Sequence, residues 1–322
     1  MLDVLRLNLL SPIPLAFALG VFAKLIRSEL NISKELYQSL TVYLLLALGL
    51  KGGVELSHAN LGRIAGPAGA TLLLGCVTPL SAYAILRNLG KFSVADSAGI
   101  AAHYGSVSAV TFIAAQQFVS SAGSPAEGFM TTLLTLLESP GIHIALALGV
   151  LNATRAGGGA DWRKELREIL TGRTMLLLVG GLAIGWLMGE RGWKSVAPFF
   201  DGCFKGALVL FLLEMGLVAG ERLSDLKKTG PFLIGFGVAL PVLHGALGVL
   251  LGRWTGLSVG GCTVLAAMAS SASYIAAPSA VRTTLPDANP TYSLTLALAI
   301  TFPFNILFGI PLYYSLAQAL AH

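Results

Sequence analysis

Apolar stretches long enough to cross a bilayer recur along the whole chain, and nothing constrains its fold more. A spanning helix needs about 20 mainly apolar residues. Ten segments meet that measure, at 8–26, 36–57, 64–87, 94–119, 127–152, 174–191, 199–220, 230–252, 257–280 and 291–318. Only one connection is long and hydrophilic, Arg155 to Arg173, with a helical-looking core at Trp162–Glu168. It divides the segments five and five. Charged residues make up 11% of the chain, whereas soluble domains carry roughly 25%. An all-α polytopic membrane protein is therefore expected. The first apolar run lacks a basic leader and a small-residue cleavage site, so it is read as a helix that stays.

The two halves resemble each other, which divides the chain into a first five-helix repeat (1–152), a linker (153–173) and a second repeat (174–322). Leu46-Ala47-Leu48-Gly49-Leu50 with Gly53 recurs as Leu213-Glu214-Met215-Gly216-Leu217 with Gly220. Gly66-Pro67 recurs as Gly230-Pro231, and Phe92-Ser93-Val94 as Leu257-Ser258-Val259. Glu138-Ser139-Pro140 is matched in place by Thr301-Phe302-Pro303. The offset stays between 163 and 167 residues, which chance matches would not keep. An odd number of spans per repeat turns the second half over, giving two inverted five-helix repeats. That architecture is typical of secondary transporters, with substrate held by discontinuous helices near the midplane.

Orientation follows from the cations. With ten spans, fourteen of the 21 Lys and Arg residues fall on the side of the Arg155–Arg173 loop. The positive-inside rule places that loop in the cytoplasm and both termini outside it, as in a bacterial inner membrane. The net charge of +5 is thus a topology signal, and no nucleic-acid partner is expected.

Two polar runs interrupt the apolar segments. One is Ala101-Ala102-His103-Tyr104-Gly105-Ser106-Val107-Ser108, the other Ala266-Ala267-Met268-Ala269-Ser270-Ser271-Ala272-Ser273. Irregular polar backbone at membrane depth is tolerated only where it is buried in protein or lines a cavity. A helix broken there exposes N–H donors at the start of its second half, which favour an anion, while unwound carbonyls suit a small cation. The expected substrate-binding residues are Gly105, Ser106, Ser108, Thr111, Ser270, Ser271, Ser273 and Tyr274, whose hydroxyls donate or accept. Gly105, Ala109, Ala272 and Ala276 are small enough for close approach to the backbone. Interhelical packing is the competing explanation, since small residues and serines are common there.

At these residues the chain resembles the sodium-dependent bicarbonate transporters of the cyanobacterial SbtA type. Gly105-Ser106-Val107-Ser108-Ala109-Val110-Thr111 is similar to that family's Gly-Ala-Val-Ser-Gly-Ser-Thr run. Ser271-Ala272-Ser273-Tyr274-Ile275 is similar to its Ser-Ser-Ser-Asp-Ile run, and Leu285-Pro286-Asp287-Ala288-Asn289-Pro290 to its Ile-Pro-Ser-Ala-Asn-Pro turn. The resemblance implies core and gate domains, a homotrimer, a small inorganic anion as substrate and Na+ as coupling ion. It also implies a PII-like soluble regulator on the cytoplasmic face. Two departures stand out: Tyr274 replaces the family's Asp, and Ala272 one of its serines. The 153–173 loop is also shorter and less charged than the family's.

An ionisable residue within a span is a functional candidate. Glu138, before Pro140, is the best remaining carboxylate for a cation or proton, with Ser108 and Ser273 as further coupling-ion ligands. Glu214 is read as a structural partner of Lys205, and Asp96 as a cap or first-turn carboxylate. His103 adjoins the first break and is open to either titration or packing. Cys76, Cys203 and Cys262 stand alone and are read as packing residues. No enzyme motif and no cofactor site are found. A secondary transporter for a small anion, sodium-coupled bicarbonate first, is the leading expectation. An organic-anion carrier of the bile-acid-transporter type and a non-transporting regulatory membrane protein are the alternatives.

Overall fold

The computed structural model describes residues 6, 8–59, 61–153, 167 and 171–321. Among these there are helices and no strand. The expected helix across Trp162–Glu168 lies outside the described residues, apart from Arg167.

The first half holds α1 (Pro12–Leu25), α2 (Lys34–His58), α3 (Leu61–Asn88), α4 (Val94–Tyr104), α5 (Ala109–Ser121), α6 (Met130–Leu137) and α7 (Pro140–Ala153). The second holds α8 (Arg173–Phe200), α9 (Phe204–Arg222), α10 (Leu226–Trp254), α11 (Val259–Ala269), α12 (Ala277–Thr284) and α13 (Pro290–Ala319). Seven stretches are long and apolar enough to cross a membrane: Lys34–His58, Gly62–Asn88, Val94–Ser121, Met130–Asn152, Arg173–Phe200, Thr229–Trp254 and Pro290–Ala319. Every one of the ten expected segments is helical, but three fall short of that measure for identifiable reasons. α1 has 14 residues, about 21 Å at 1.5 Å per residue. α9 carries Lys205, Glu214, Glu221 and Arg222. The segment over 257–280 is broken after Ala269, leaving α11 with 11 residues.

Local chemistry sets the helix ends. Ser33, Ser93, Ser108 and Ser258 cap α2, α4, α5 and α11, each side chain accepting the N–H three residues on, which satisfies a donor the helix cannot. Asn289 caps α13 ahead of Pro290, whose fixed φ suits the first helical position. The segment expected to end at 191 continues as α8 to Phe200, across one non-helical residue, Gly189, with φ 55° and ψ −166°. Glycine adopts that conformation without steric cost, so the chain bends there rather than stopping.

Packing between the halves is crosswise. α2 lies along α8, with Gly49 against Gly181. α9 lies along α1, with Gly216 against Gly20. A Cβ on Gly216 would sit 2.1 Å from the Phe17 carbonyl oxygen, so only glycine permits this approach. Ion pairs at the ends reinforce the pairing, Lys24 to Glu221 at 2.6 Å and Lys51 to Asp201 at 2.7 Å. The remaining helices form a second group, in which α10 packs on α11 and α4 on α7 and α3. The expected Lys205–Glu214 pair does not form: nine residues along a helix turn about 900°, which sets the two side chains on opposite faces. Glu214 instead has a buried carboxylate oxygen with no hydrogen-bond partner.

Candidate functional site

Both polar runs are breaks between helices, as expected. α4 ends at Tyr104 and α5 begins at Ala109. α11 ends at Ala269 and α12 begins at Ala277. The two breaks cross and bond to each other. Ser108 donates its backbone N–H to the Ser271 hydroxyl at 2.8 Å. Ser273 donates its own N–H to the His103 carbonyl at 2.7 Å. Ser108 and Ser273 are 165 residues apart, so matching positions in the two halves reach across in the same sense. The whole crossing is buried: Ser106, Ser108, Thr111, Ser270, Ser271 and Ser273 are each at most 4% exposed.

The starts of the broken helices are tied crosswise as well. Asp96, in the first turn of α4, accepts the Asn289 N–H at 2.8 Å and the Ser93 hydroxyl at 2.7 Å. The cap reading of Asp96 is therefore right, with a second task added: it holds the cap of α13. Ser258, at the start of α11, donates its N–H to Glu127, just ahead of α6, at 2.6 Å. Each carboxylate pins one half of the molecule to the other.

Several of the expected binding groups are already engaged within the protein. Ser106 donates to the Glu138 carbonyl at 2.8 Å. Ser271 donates to the Met268 carbonyl at 2.8 Å while accepting from Ser108. Gly105 is small because α7 presses on it. A Cβ on Gly141 would lie 1.9 Å from the Gly105 oxygen, and one on Gly105 would lie 2.8 Å from the Gly141 carbonyl. Its open face is taken by helix packing, with no room left there for a ligand.

Ser270 belongs to a network the sequence reading missed. Asn305 donates to the Ser270 carbonyl at 3.0 Å, and its own carbonyl oxygen lies 3.2 Å from the Ser270 hydroxyl and 3.0 Å from that of Tyr313. Asn305 opens a π-helical turn, Asn305–Gly309, and a second one, Leu296–Thr301, precedes Pro303. Pro303 removes an intrahelical donor, and wide turns of this kind occur mostly at functional sites. In the first, Thr301 lies 2.6 Å from the Tyr104 hydroxyl and donates to the Gly237 carbonyl. A lone Asn in a long apolar run, with Tyr eight residues on, was the available signal.

Other groups are buried without a partner. The Thr111 and Tyr274 hydroxyls, one Glu138 carboxylate oxygen and His103 Nδ1 have none within the protein. Such groups are costly to bury. The Ser108 and Ser273 hydroxyls accept from Thr111 N at 3.2 Å and Ala276 N at 3.3 Å, which leaves their protons available. The Tyr274 ring packs edge-on against Phe302 with centroids 5.8 Å apart. Its hydroxyl points toward Ser108 without a well-directed bond. Tyr274 thus fills the crossing and still offers an unengaged hydroxyl there.

Cavities approach the crossing from two directions. One of about 290 Å³ is lined by Glu138, by Tyr37 and Thr41 of α2, by Arg173 and Thr174 of α8, and by Ile275 and Ala276 of the second break. Another of about 240 Å³ lies beyond α5, among Lys51, Glu55, Gln116, Gln117, Glu127 and Asp201. Both sit between the α1–α2–α8–α9 group and the rest. Among the described residues, no cluster of three His, Cys, Asp or Glu could hold a metal ion.

Comparison with known proteins gives one local and one extended likeness. CDP-archaeol synthase of Thermococcus onnurineus (strain NA1) is 31% identical over 71 residues, which is 22% of this chain and 42% of that protein. This chain therefore spans well under half the length of that curated relative. The extended likeness is to a family model, that of the Na+-dependent bicarbonate transporter superfamily, which matches residues 12–318 and so takes in both breaks and every helix around them. On that match, together with helices fit to cross a membrane, this chain belongs to the Na+-dependent bicarbonate transporter superfamily.

Proposed function

We propose that the protein is a ten-span secondary transporter, built as two inverted five-helix repeats, that carries a small anion through the crossing of its two breaks. The observation that carries this reading is the reciprocal bonding of Ser108 to Ser271 and of Ser273 to His103. Crosswise packing of α2 on α8 and of α9 on α1 supports the inverted repeat. The substrate is bicarbonate, held by the exposed N–H groups at the start of α5, the Thr111 and Tyr274 hydroxyls and the free protons of Ser108 and Ser273. The helix dipole favours negative charge at that point.

Movement of the group holding the breaks against the α1–α2–α8–α9 panel then exposes the crossing to one cavity or the other. The superfamily's description makes sodium the coupling ion. Oxygen donors for it at the crossing are Ser108, Ser273 and the Glu138 carboxylate, in place of the carboxylate that Tyr274 displaces. The loop over 153–173 faces the cytoplasm of a bacterial cell and is where a PII-like regulator would dock, and the assembly is a homotrimer.

A stabilisation screen tests binding directly, because a ligand that binds only the folded state raises its stability. Bicarbonate with sodium should raise the melting temperature of the purified protein, and Ser108→Trp should abolish that rise. No rise with bicarbonate at any sodium concentration would contradict the reading. One observation favours an organic anion instead: an apolar cavity of about 620 Å³ beside α1, α5 and α9, with Lys205 and Gln117 in its lining. Stabilisation by an amphipathic carboxylate but not by bicarbonate would decide for that alternative.

A further inference from the structure

The 290 Å³ cavity has a chemistry of its own, distinct from that of the crossing. At one end stands Arg173, an exposed cation at the first position of α8. No side chain caps that helix, whose N-cap is Gly172, so its leading N–H groups face the cavity as donors. Thr174 and Tyr37 bring hydroxyls to the same walls. At the other end is Glu138, 2% exposed, with a carboxyl oxygen that no group in the protein satisfies. Donors on one wall and a lone acceptor on the other match an ion that is itself both acceptor and donor.

We infer that this cavity is a second, selective subsite for hydrogencarbonate, on the path between the crossing and the membrane face carrying Arg173. The anionic oxygens accept from Arg173 and the start of α8, while the O–H donates to Glu138. The volume takes a four-heavy-atom ion with several waters, each occupying about 30 Å³. Nitrate has the same planar shape and charge and no proton to donate. It would leave the Glu138 oxygen unsatisfied, and a site built to bond a ligand's O–H rejects the analogue without it. The subsite rests on the transport reading, since it serves the same substrate.

The test uses the full chain in proteoliposomes of defined orientation. Half-saturating hydrogencarbonate for labelled exchange is measured from each face, with nitrate as competitor. Arg173→Gln is expected to raise it roughly tenfold at the face carrying Arg173, the size of one charge-assisted hydrogen bond. The opposite face should not change, and Arg173→Lys should recover part of the loss. Glu138→Leu should let nitrate compete from that face, while Glu138→Gln, which keeps an acceptor oxygen, should still exclude it. No change from Arg173→Gln, or an equal change at both faces, overturns the subsite while leaving transport intact. If the wild type exchanges no anion, the transport reading fails. Calorimetric binding of hydrogencarbonate to the solubilised protein then decides: weaker binding by Arg173→Gln supports the subsite, and equal binding overturns it.

Discussion

Ser108 and Ser271 are joined at 2.8 Å, backbone N–H to hydroxyl, across 163 positions of sequence. The bond fixes how one break sits on the other, and it uses the N-cap residue of α5 as its donor. The same Ser108 side chain caps that helix through Thr111. One residue therefore sets both the direction of the α5 dipole and the position of the opposite break.

Ser271→Ala tests that bond. The Ser108 N–H would be left buried without an acceptor, at a cost of about 1–3 kcal/mol. A lower melting temperature and a sharp loss of flux are expected, with assembly retained. Unchanged flux would mean that the crossing tolerates looser geometry than the account requires.

Gly141→Ala should be worse tolerated than most alanine substitutions in a helix. The added Cβ would lie 1.9 Å from the Gly105 oxygen, and overpacking of this kind costs about 1–3 kcal/mol or more. Thermal melting of the purified variant checks it. Ala145, fully buried on the same helix, offers a comparison: Ala145→Gly removes contacts and creates no clash.

Asn305→Leu would strip partners from the Ser270 carbonyl and from the Ser270 and Tyr313 hydroxyls. Each buried group left unsatisfied costs about 1–3 kcal/mol, so the variant should melt well below the wild type. Asn305→Asp keeps the acceptor and loses the donor, and an intermediate melting temperature is expected from it. Equal melting of all three proteins would remove Asn305 from the account.

Tyr274→Asp restores the carboxylate that the resembled family carries. It adds a negative oxygen ligand beside Ser108, so sodium should stabilise this variant at lower concentrations than it does the wild type. Tyr274→Phe keeps the packing on Phe302 and removes only the hydroxyl, which should weaken anion binding while leaving sodium dependence alone. Sodium titrations of the melting temperature separate the two effects.

The breaks were legible in the sequence because polar residues inside apolar runs have few physical excuses. The caps at Ser93 and Ser258 were legible because they are local. Contacts between distant residues were not: neither Asp96 holding the Asn289 N–H nor Glu127 holding that of Ser258 leaves any periodic trace. Glu214 misled because its distance along the chain from Lys205 was judged without the turn of the helix. The engaged state of Ser106 and Gly105 depends on how closely α7 approaches, which composition does not encode. The end of the sixth segment was placed at a glycine-containing charged stretch, yet Gly189 only bends the helix.

The central claim is that a small anion crosses the membrane between these two breaks. It is tested most directly by uptake of labelled bicarbonate into proteoliposomes under an inward sodium gradient, with the wild type beside Ser108→Trp and Ser273→Trp. The account predicts uptake by the wild type above empty vesicles, dependent on the gradient, and loss of uptake by both variants despite normal assembly. Wild-type uptake no greater than that of empty vesicles, or equal uptake by all three proteins, would contradict it.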